Sequence, residues 1–483
     1  MHGVSLALPE NSTPNPPSAS LPEPVASPAG AVRVRDPYVV AVVLFCAYAA
    51  LSISRFWQLR TMSWDLGIFE QVIRAYAELR APVADIKGPG VNILGDHFSP
   101  VTAVLAPAYR LFPTPVTLLV AQAALFALSA VPVTRVAARL LGRWPGLAIG
   151  VAYGLSWGVQ RAVEFDFHEI AFAVPLIAFS LEALLTGRLR AALAWASPLV
   201  LVKEDLGLTV AAIALVVALR ARHAAPRFVR EAVAVAAVAV VVAVLTFTVV
   251  IPAFNSGDTY DYWDKVDGGN GPLDGFDTKF RTLVWLLLPT TGLLALRSPL
   301  ILIALPTLGW RFLSSDDHYW GTGWHYSAVL MPVVALALVD AAHRIRRDAR
   351  PWLRSYARHL PAAVAGAALA LTTSLPLSAL TEPDTYRVRP ETRAAQRLLD
   401  RIPDDATVEA NVGPVSLLAS RCRVFWVGDT RGITPDYIAL NNTSGWVGDP
   451  VGYAKRLHPR ATYTVVGEVG GYLLLERASN PRS

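Results

Sequence analysis

Two stretches of this chain, Tyr38–Trp57 and Glu231–Pro252, each supply the ~20 mostly apolar residues that a helix needs to cross ~30 Å of hydrocarbon. Further apolar runs follow them, separated by short charged clusters, so much of the chain must be solvated by a bilayer. Composition agrees: 53% of the 483 residues are hydrophobic and 17% are charged, with a mean hydropathy of +0.41. The net charge of +6 does not mark a nucleic-acid surface, because the basic residues fall between apolar runs rather than along one polar face. Cys46 and Cys422 are too few and too far apart to frame a small disulfide domain.

The charged clusters set a topology. Arg33 and Arg35, then Arg135, Arg139 and Arg143, then Arg188 and Arg190, then Arg220 to Arg230, then Arg344 to Arg358 sit in segments almost free of acids. Short basic loops stay in the cytoplasm. Acidic and aromatic loops at 58–100, 161–170, 253–280 and 314–326 alternate with them and are expected outside. The run Ala191–Leu219 has basic flanks at both ends and Lys203, Glu204 and Asp205 in its middle. A hairpin of two short helices keeps both flanks inside and spares each charge a midplane cost of roughly 2.5–3.5 kcal/mol. The same reasoning divides Arg281–Phe312 near Arg297 and Pro299, and makes Ser99–Phe112 a short re-entrant helix. The count becomes about eleven crossings, with the N-terminus in and the C-terminus out.

Residues 1–35, rich in Pro, Ser and Ala, read as a disordered cytoplasmic tail. Residues 36–380 form the polytopic all-α membrane domain. After Leu380 the pattern turns to a helix, Glu391–Arg401, and short strand-like runs at Ala406–Ala410, Val424–Val427, Tyr437–Leu440, Thr462–Val466 and Tyr472–Glu476. Residues 381–483 are thus expected to be a small extracytoplasmic α/β domain.

Chemistry-bearing residues concentrate in the outer loops. Asp65 opens an amphipathic segment in which Leu66, Phe69, Val72, Ile73, Tyr76 and Leu79 share one face, the pattern of a helix lying on the outer leaflet. A carboxylate there serves as general base or ligand, or simply as an N-cap. Asp96 and His97 close the first loop, and Glu164, Asp166, His168 and Glu169 form the next. Such acids and histidines suit a divalent metal, a sugar site or a proton relay, and equally suit hydrogen-bonded loops; their spacing matches no specific metal motif. Lys203, with Glu204 and Asp205, is placed to hold a lipid phosphate or to snorkel from a helix end. His325, between Trp324 and Tyr326, is either part of the site or of an aromatic belt. The aspartate-rich loop Asp258–Asp277, with Tyr260, Tyr262 and Trp263, either closes over a carbohydrate or is merely solvated.

The ordered motifs Trp64-Asp65-Leu66-Gly67-Ile68-Phe69-Glu70, Gly95-Asp96-His97-Phe98-Ser99-Pro100, Phe167-His168-Glu169, Lys203-Glu204-Asp205 and Trp324-His325-Tyr326 resemble a family of bacterial multispanning proteins, domain of unknown function 2079. That family in turn is similar to the GT-C superfamily of membrane glycosyltransferases, which take sugars from polyprenyl phosphate carriers outside the cytoplasm. The resemblance implies a plasma-membrane enzyme with a polyprenyl-phosphate-linked sugar as donor and a glycan or protein as acceptor. It makes Asp65 the general base and Lys203 the phosphate holder, and places Asp96, His97, His168 and Glu169 along the sugar or acceptor site. No second carboxylate lies directly beside Asp65 in sequence, so a metal-bridged aspartate pair is not implied. Two other functions compete: a transporter or flippase of a lipid-linked sugar, which would place its polar groups at midplane within inverted repeats, and a non-catalytic envelope assembly protein.

Overall fold

The computed structural model describes residues 34–263 and 273–478. The tail read from residues 1–35 falls almost wholly outside the described residues, as does the middle of the aspartate-rich loop.

Most of the chain is helical. Three helices are long and apolar enough to cross a membrane, Asp36–Trp57, Pro115–Leu141 and Pro226–Phe254; other apolar helices, such as Leu189–Leu201 and Pro299–Leu313, are shorter. Prolines start several of them. Pro37 and Pro115 occupy first turns, where a missing N–H leaves no bond unmade. Pro115–Leu141 packs against Asp36–Trp57, Arg143–Gly154, Ala173–Leu185 and Leu330–Ile345. Leu330–Ile345 is apolar almost all round and correspondingly buried. Pro226–Phe254 instead presents Val238, Val241 and Val244 outward, each more than half exposed, a surface that suits lipid better than water.

The charges do sort to opposite ends. At one end Arg143 pairs with Asp36 at 2.5 Å, Arg135 with Glu182 at 2.6 Å, and Arg220 and Arg344 with buried Asp340 at 2.6 and 3.2 Å. The acidic and aromatic loops gather at the other end. There the run Ala191–Leu219 breaks at Lys203-Glu204-Asp205 into packed helices, Leu189–Ala196 and Leu206–Ala224.

The C-terminal region forms a five-stranded sheet in the order β2-β1-β3-β5-β4, with β1 Thr407–Ala410, β2 Arg423–Trp426, β3 Tyr437–Asn441, β4 Tyr463–Val469 and β5 Tyr472–Arg477. β1 is parallel to β2 and β3, and β5 is antiparallel to its two neighbours. The strands fall within a few residues of the runs expected from sequence.

The helix Asp65–Ala77, expected to lie against the outer leaflet, is covered by protein on both faces. It is sandwiched between the bundle and the sheet domain: Leu66, Phe69 and Ile73 join the bundle core, while Ile68 and Val72 join the core of the sheet domain. Its polar face is used as well. Tyr109 Oη donates to buried Glu70 at 2.9 Å, and Gln71 Nε2 donates to the Val424 carbonyl at 2.9 Å. A Cβ at Gly67 would collide with Val415 Cγ1, so this glycine permits the close approach. Arg423 completes the docking with a bidentate bond to Asp85 at 2.8 and 3.0 Å.

Candidate active site

The end of the bundle opposite the arginine clusters holds a cavity of about 600 Å³. Eight of the charged and histidine candidates line it, Asp65, Asp96, His97, His168, Lys203, Glu204, Asp205 and His325, together with Tyr260 and Tyr262 of the aspartate-rich loop. The eight come from four separate loops, held together by the bundle behind them and by the sheet domain, which contributes Val412 and Trp426 to the wall. Trp426 stacks edge-on against Trp64 at 4.7 Å, beside Asp65.

Asp65 is the first residue of its helix, one place past Trp64 at the N-cap, and its N–H donates to Ser63 Oγ at 3.1 Å. The side chain is half-buried at the cavity wall. Burial pushes its pKa above the usual aspartate value, against the pull of His168 and Lys87, so this group is tuned toward accepting a proton.

Glu204 ties loops together rather than facing the cavity freely. It lies 2.8 Å from His97 Nδ1 and accepts from the Phe98 N–H at 3.1 Å and from Tyr260 Oη at 3.1 Å. Burial works against its charge, yet His97 holds its pKa below the ordinary glutamate value; reciprocally, burial works against a charged His97, but Glu204 and Asp96 raise it. Gly95 makes this arrangement possible, since a Cβ there would run into the backbone of Phe254 and Asn255.

Lys203 Nζ lies 3.3 Å from Glu169 Oε1, and Glu169 Oε2 lies 2.7 Å from His168 Nδ1. Glu169 is fully buried behind the cavity wall. Burial alone would raise its pKa, but His168 and Lys203 hold it well below the carboxylate range; Lys203 is pushed above its ordinary value by Glu169, Glu204 and Asp205, despite its own burial. Asp205 is raised to about 6 by burial, and its Oδ1 has no hydrogen-bond partner among the described residues.

Two of the candidates face elsewhere. Glu164 pairs with Arg161 at 2.8 Å and Arg55 at 3.5 Å, and Asp166 accepts from the Met62 N–H at 2.7 Å, so neither lines the cavity. Asp166 has a structural task. Its φ of 74° is left-handed, as is the 63° of Trp324, and these strained residues flank His168 and His325. The two imidazoles stack at 3.6 Å between centroids.

Asp65, His168 and His325 each offer one ligand atom, all within 4.8 Å of one another, and a second such group, Asp316, Asp317 and His318, is more exposed. Sequence reasoning missed Lys87, which lines the cavity 3.2 Å from Asp96, and Phe247, Trp310 and Tyr319. A signal for Lys87 existed. Only five of the 43 basic residues are lysines, and two of those five line this cavity.

The fold is similar to that of ArnT from Cupriavidus metallidurans. The structure of that protein bound to undecaprenyl phosphate aligns with a TM-score of 0.58 and 13% identity, covering 91% of this chain and 99% of the other. Its apo state aligns with a TM-score of 0.51, 14% identity and the same coverage. No curated protein matches the chain. The family model described as "Predicted membrane protein (DUF2079)" matches residues 55–263 and 271–463, and the chain belongs to that family.

Proposed function

We propose that this protein is a membrane glycosyltransferase that moves a sugar from a polyprenyl-phosphate carrier to an acceptor outside the cytoplasm. The observation that carries the reading is Asp65, its pKa raised by burial, lining the same cavity as Lys203 and Lys87 at one end of an ArnT-like bundle. The ArnT structure bound to undecaprenyl phosphate supports a lipid phosphate as the donor's leaving group.

In the proposed reaction Asp65 takes the proton of an acceptor hydroxyl as that oxygen attacks the anomeric carbon. The bond from the anomeric carbon to the phosphate oxygen breaks, and its electron pair leaves with polyprenyl phosphate. Lys203 and Lys87 offset the added negative charge, and attack from the face opposite the phosphate inverts the anomeric centre. Trp64, Trp426 and Tyr262 supply flat faces suited to a sugar ring.

A second cavity of about 390 Å³ shares Lys87, Asp96 and Tyr262 with the first. Its other walls include Asn92, Asn255, Ser256, Asp261 and Arg431, so we assign it to a polar acceptor. The donor's lipid would approach past Phe247, which lies in a π-helical turn, Thr246–Val250, of the long apolar helix.

The topology belongs to the same proposal: basic end in the cytoplasm, cavity and residues 381–483 outside, and about eleven crossings in residues 36–380, the shorter helices pairing to complete them. The test is polyprenyl phosphate release by purified protein in lipid, from a panel of polyprenyl-phosphate sugars. Asp65→Asn is expected to lower the rate by about 10²–10⁴-fold with membrane yield unchanged; an undiminished rate removes Asp65 from the chemistry.

A further inference from the structure

We propose that Asp65, His168 and His325 bind one divalent transition-metal ion of the zinc class at the wall of the main cavity. Their donor atoms converge within 4.8 Å. Zinc bonds of ~2.0–2.1 Å to nitrogen or oxygen set ligand atoms roughly 3.4 Å apart, so the donors draw in by about an ångström while the His168 and His325 rings, stacked at 3.6 Å and 25°, turn out of their stack to aim both lone pairs at one ion. Two imidazoles and one carboxylate suit zinc and its borderline neighbours, whereas magnesium prefers oxygen donors throughout.

An independent observation points to a ligand. His325 is 4% exposed, and its Nδ1 is buried without a hydrogen-bond partner among the described residues. A buried ring nitrogen is normally satisfied by protein or by a bound group. Trp324, at a φ of 63°, fixes the backbone that delivers this ring, and Phe165 at 4.6 Å and Tyr326 at 4.3 Å hold it.

His168 carries the support that a metal ligand needs. Its Nδ1 lies 2.7 Å from Glu169 Oε2, and the Ile170 N–H reaches the same nitrogen only from 3.5 Å. The neighbouring carboxylate on one edge of the ring is the kind of outer contact that orients a metal-bound histidine. Lys203 anchors Glu169 in turn.

The surrounding charge favours a cation. Asp65, Asp96, Glu204, Asp205 and Asp316 line the cavity against two lysines. Both lysines are already engaged, Lys203 by Glu169 at 3.3 Å and Lys87 by Asp96 at 3.2 Å. By contrast, the cluster Asp316, Asp317 and His318 is satisfied internally, with His318 Nδ1 2.9 and 3.2 Å from the two carboxylates, and is more exposed.

Three protein ligands leave a position open for a substrate oxygen or water. With an ion bound, Asp65 is a ligand and not a free base, so the base role proposed above belongs to the ion-free protein, and the test of the ion site uses neither donor nor acceptor. Untagged full-length protein in lipid nanodiscs, stripped with chelator and dialysed, is titrated with zinc and with cobalt(II). The expected result is one ion per chain, a visible cobalt spectrum of low coordination number, and at least tenfold weaker binding in His325→Gln and in His168→Gln. His318→Ala should bind as the wild type does. Absence of bound ion from the wild type overturns the proposal. So does binding that survives both glutamine variants, or that is lost with His318→Ala. If either glutamine variant fails to fold, the wild-type cobalt spectrum decides: a six-coordinate, all-oxygen spectrum rejects the site.

Discussion

Glu169 has no exposed surface and keeps its charge because Lys203 stands 3.3 Å away and His168 2.7 Å away. Removing the lysine leaves a buried carboxylate half-compensated, at a cost of about 3–5 kcal/mol. Lys203→Met is therefore expected to lower stability sharply in denaturant unfolding of the solubilised protein. Adding Glu169→Gln should recover most of that stability, because the orphaned charge goes with it. Polyprenyl phosphate release should stay low in both variants, since the cation facing the leaving phosphate is gone. A double variant with restored stability and restored release would show that Lys203 is only a structural partner. Lys203 was legible in sequence because three adjacent charges interrupt an apolar run. That Trp64 and not Asp65 holds the N-cap position was not legible, since an aspartate at a helix start looks the same whether it caps or faces a cavity. Glu164 and Asp166 share a motif with His168, yet loop geometry turns them to Arg55, Arg161 and the Met62 N–H.

At the scale of elements, the helix Asp65–Ala77 governs how the sheet domain sits on the bundle. Gly67 touches Val415 so closely that any side chain must displace it. Gly67→Leu is expected to cost about 1–3 kcal/mol by overpacking and to speed tryptic cleavage after Arg387, where the sheet domain joins the membrane domain. Gly67→Ala combined with Val415→Ala should be better tolerated than Gly67→Ala alone. Equal proteolysis of the two would mean that this contact does not set the docking. The helix itself was visible in its 3.6-residue apolar period, and the strands in their short β-rich runs. Its surroundings were not: an apolar stripe reads alike against lipid or against protein, and only the partners of Glu70 and Gln71 show that both faces are covered. The cavity walls contributed by Val412 and Trp426 lie more than three hundred residues from Asp65 and carry no local signal.

For the whole molecule, arginine clusters mark one end and the cavity the other, which is the asymmetry read from sequence. The number of crossings was less legible, because among the described residues only three helices reach spanning length by themselves. Orientation is checked with single cysteines in a Cys46→Ala, Cys422→Ala background. Arg347→Cys should react with a membrane-impermeant maleimide only after the cells are opened, and Asp384→Cys should react in intact cells or spheroplasts. The reverse pattern would put the cavity in the cytoplasm and rule out an extracytoplasmic acceptor.

A transferase of the proposed kind moves a sugar and releases a lipid phosphate in the same turnover. The most direct measurement follows a polyprenyl-phosphate sugar labelled in both sugar and phosphate, supplied with envelope extract to the purified wild-type protein in lipid. Sugar is expected to appear on an acceptor as polyprenyl phosphate is released, one for one, and Asp65→Asn is expected to stop both. Intact donor moved across the bilayer without release, or no turnover of any donor in the panel, would contradict the proposed function.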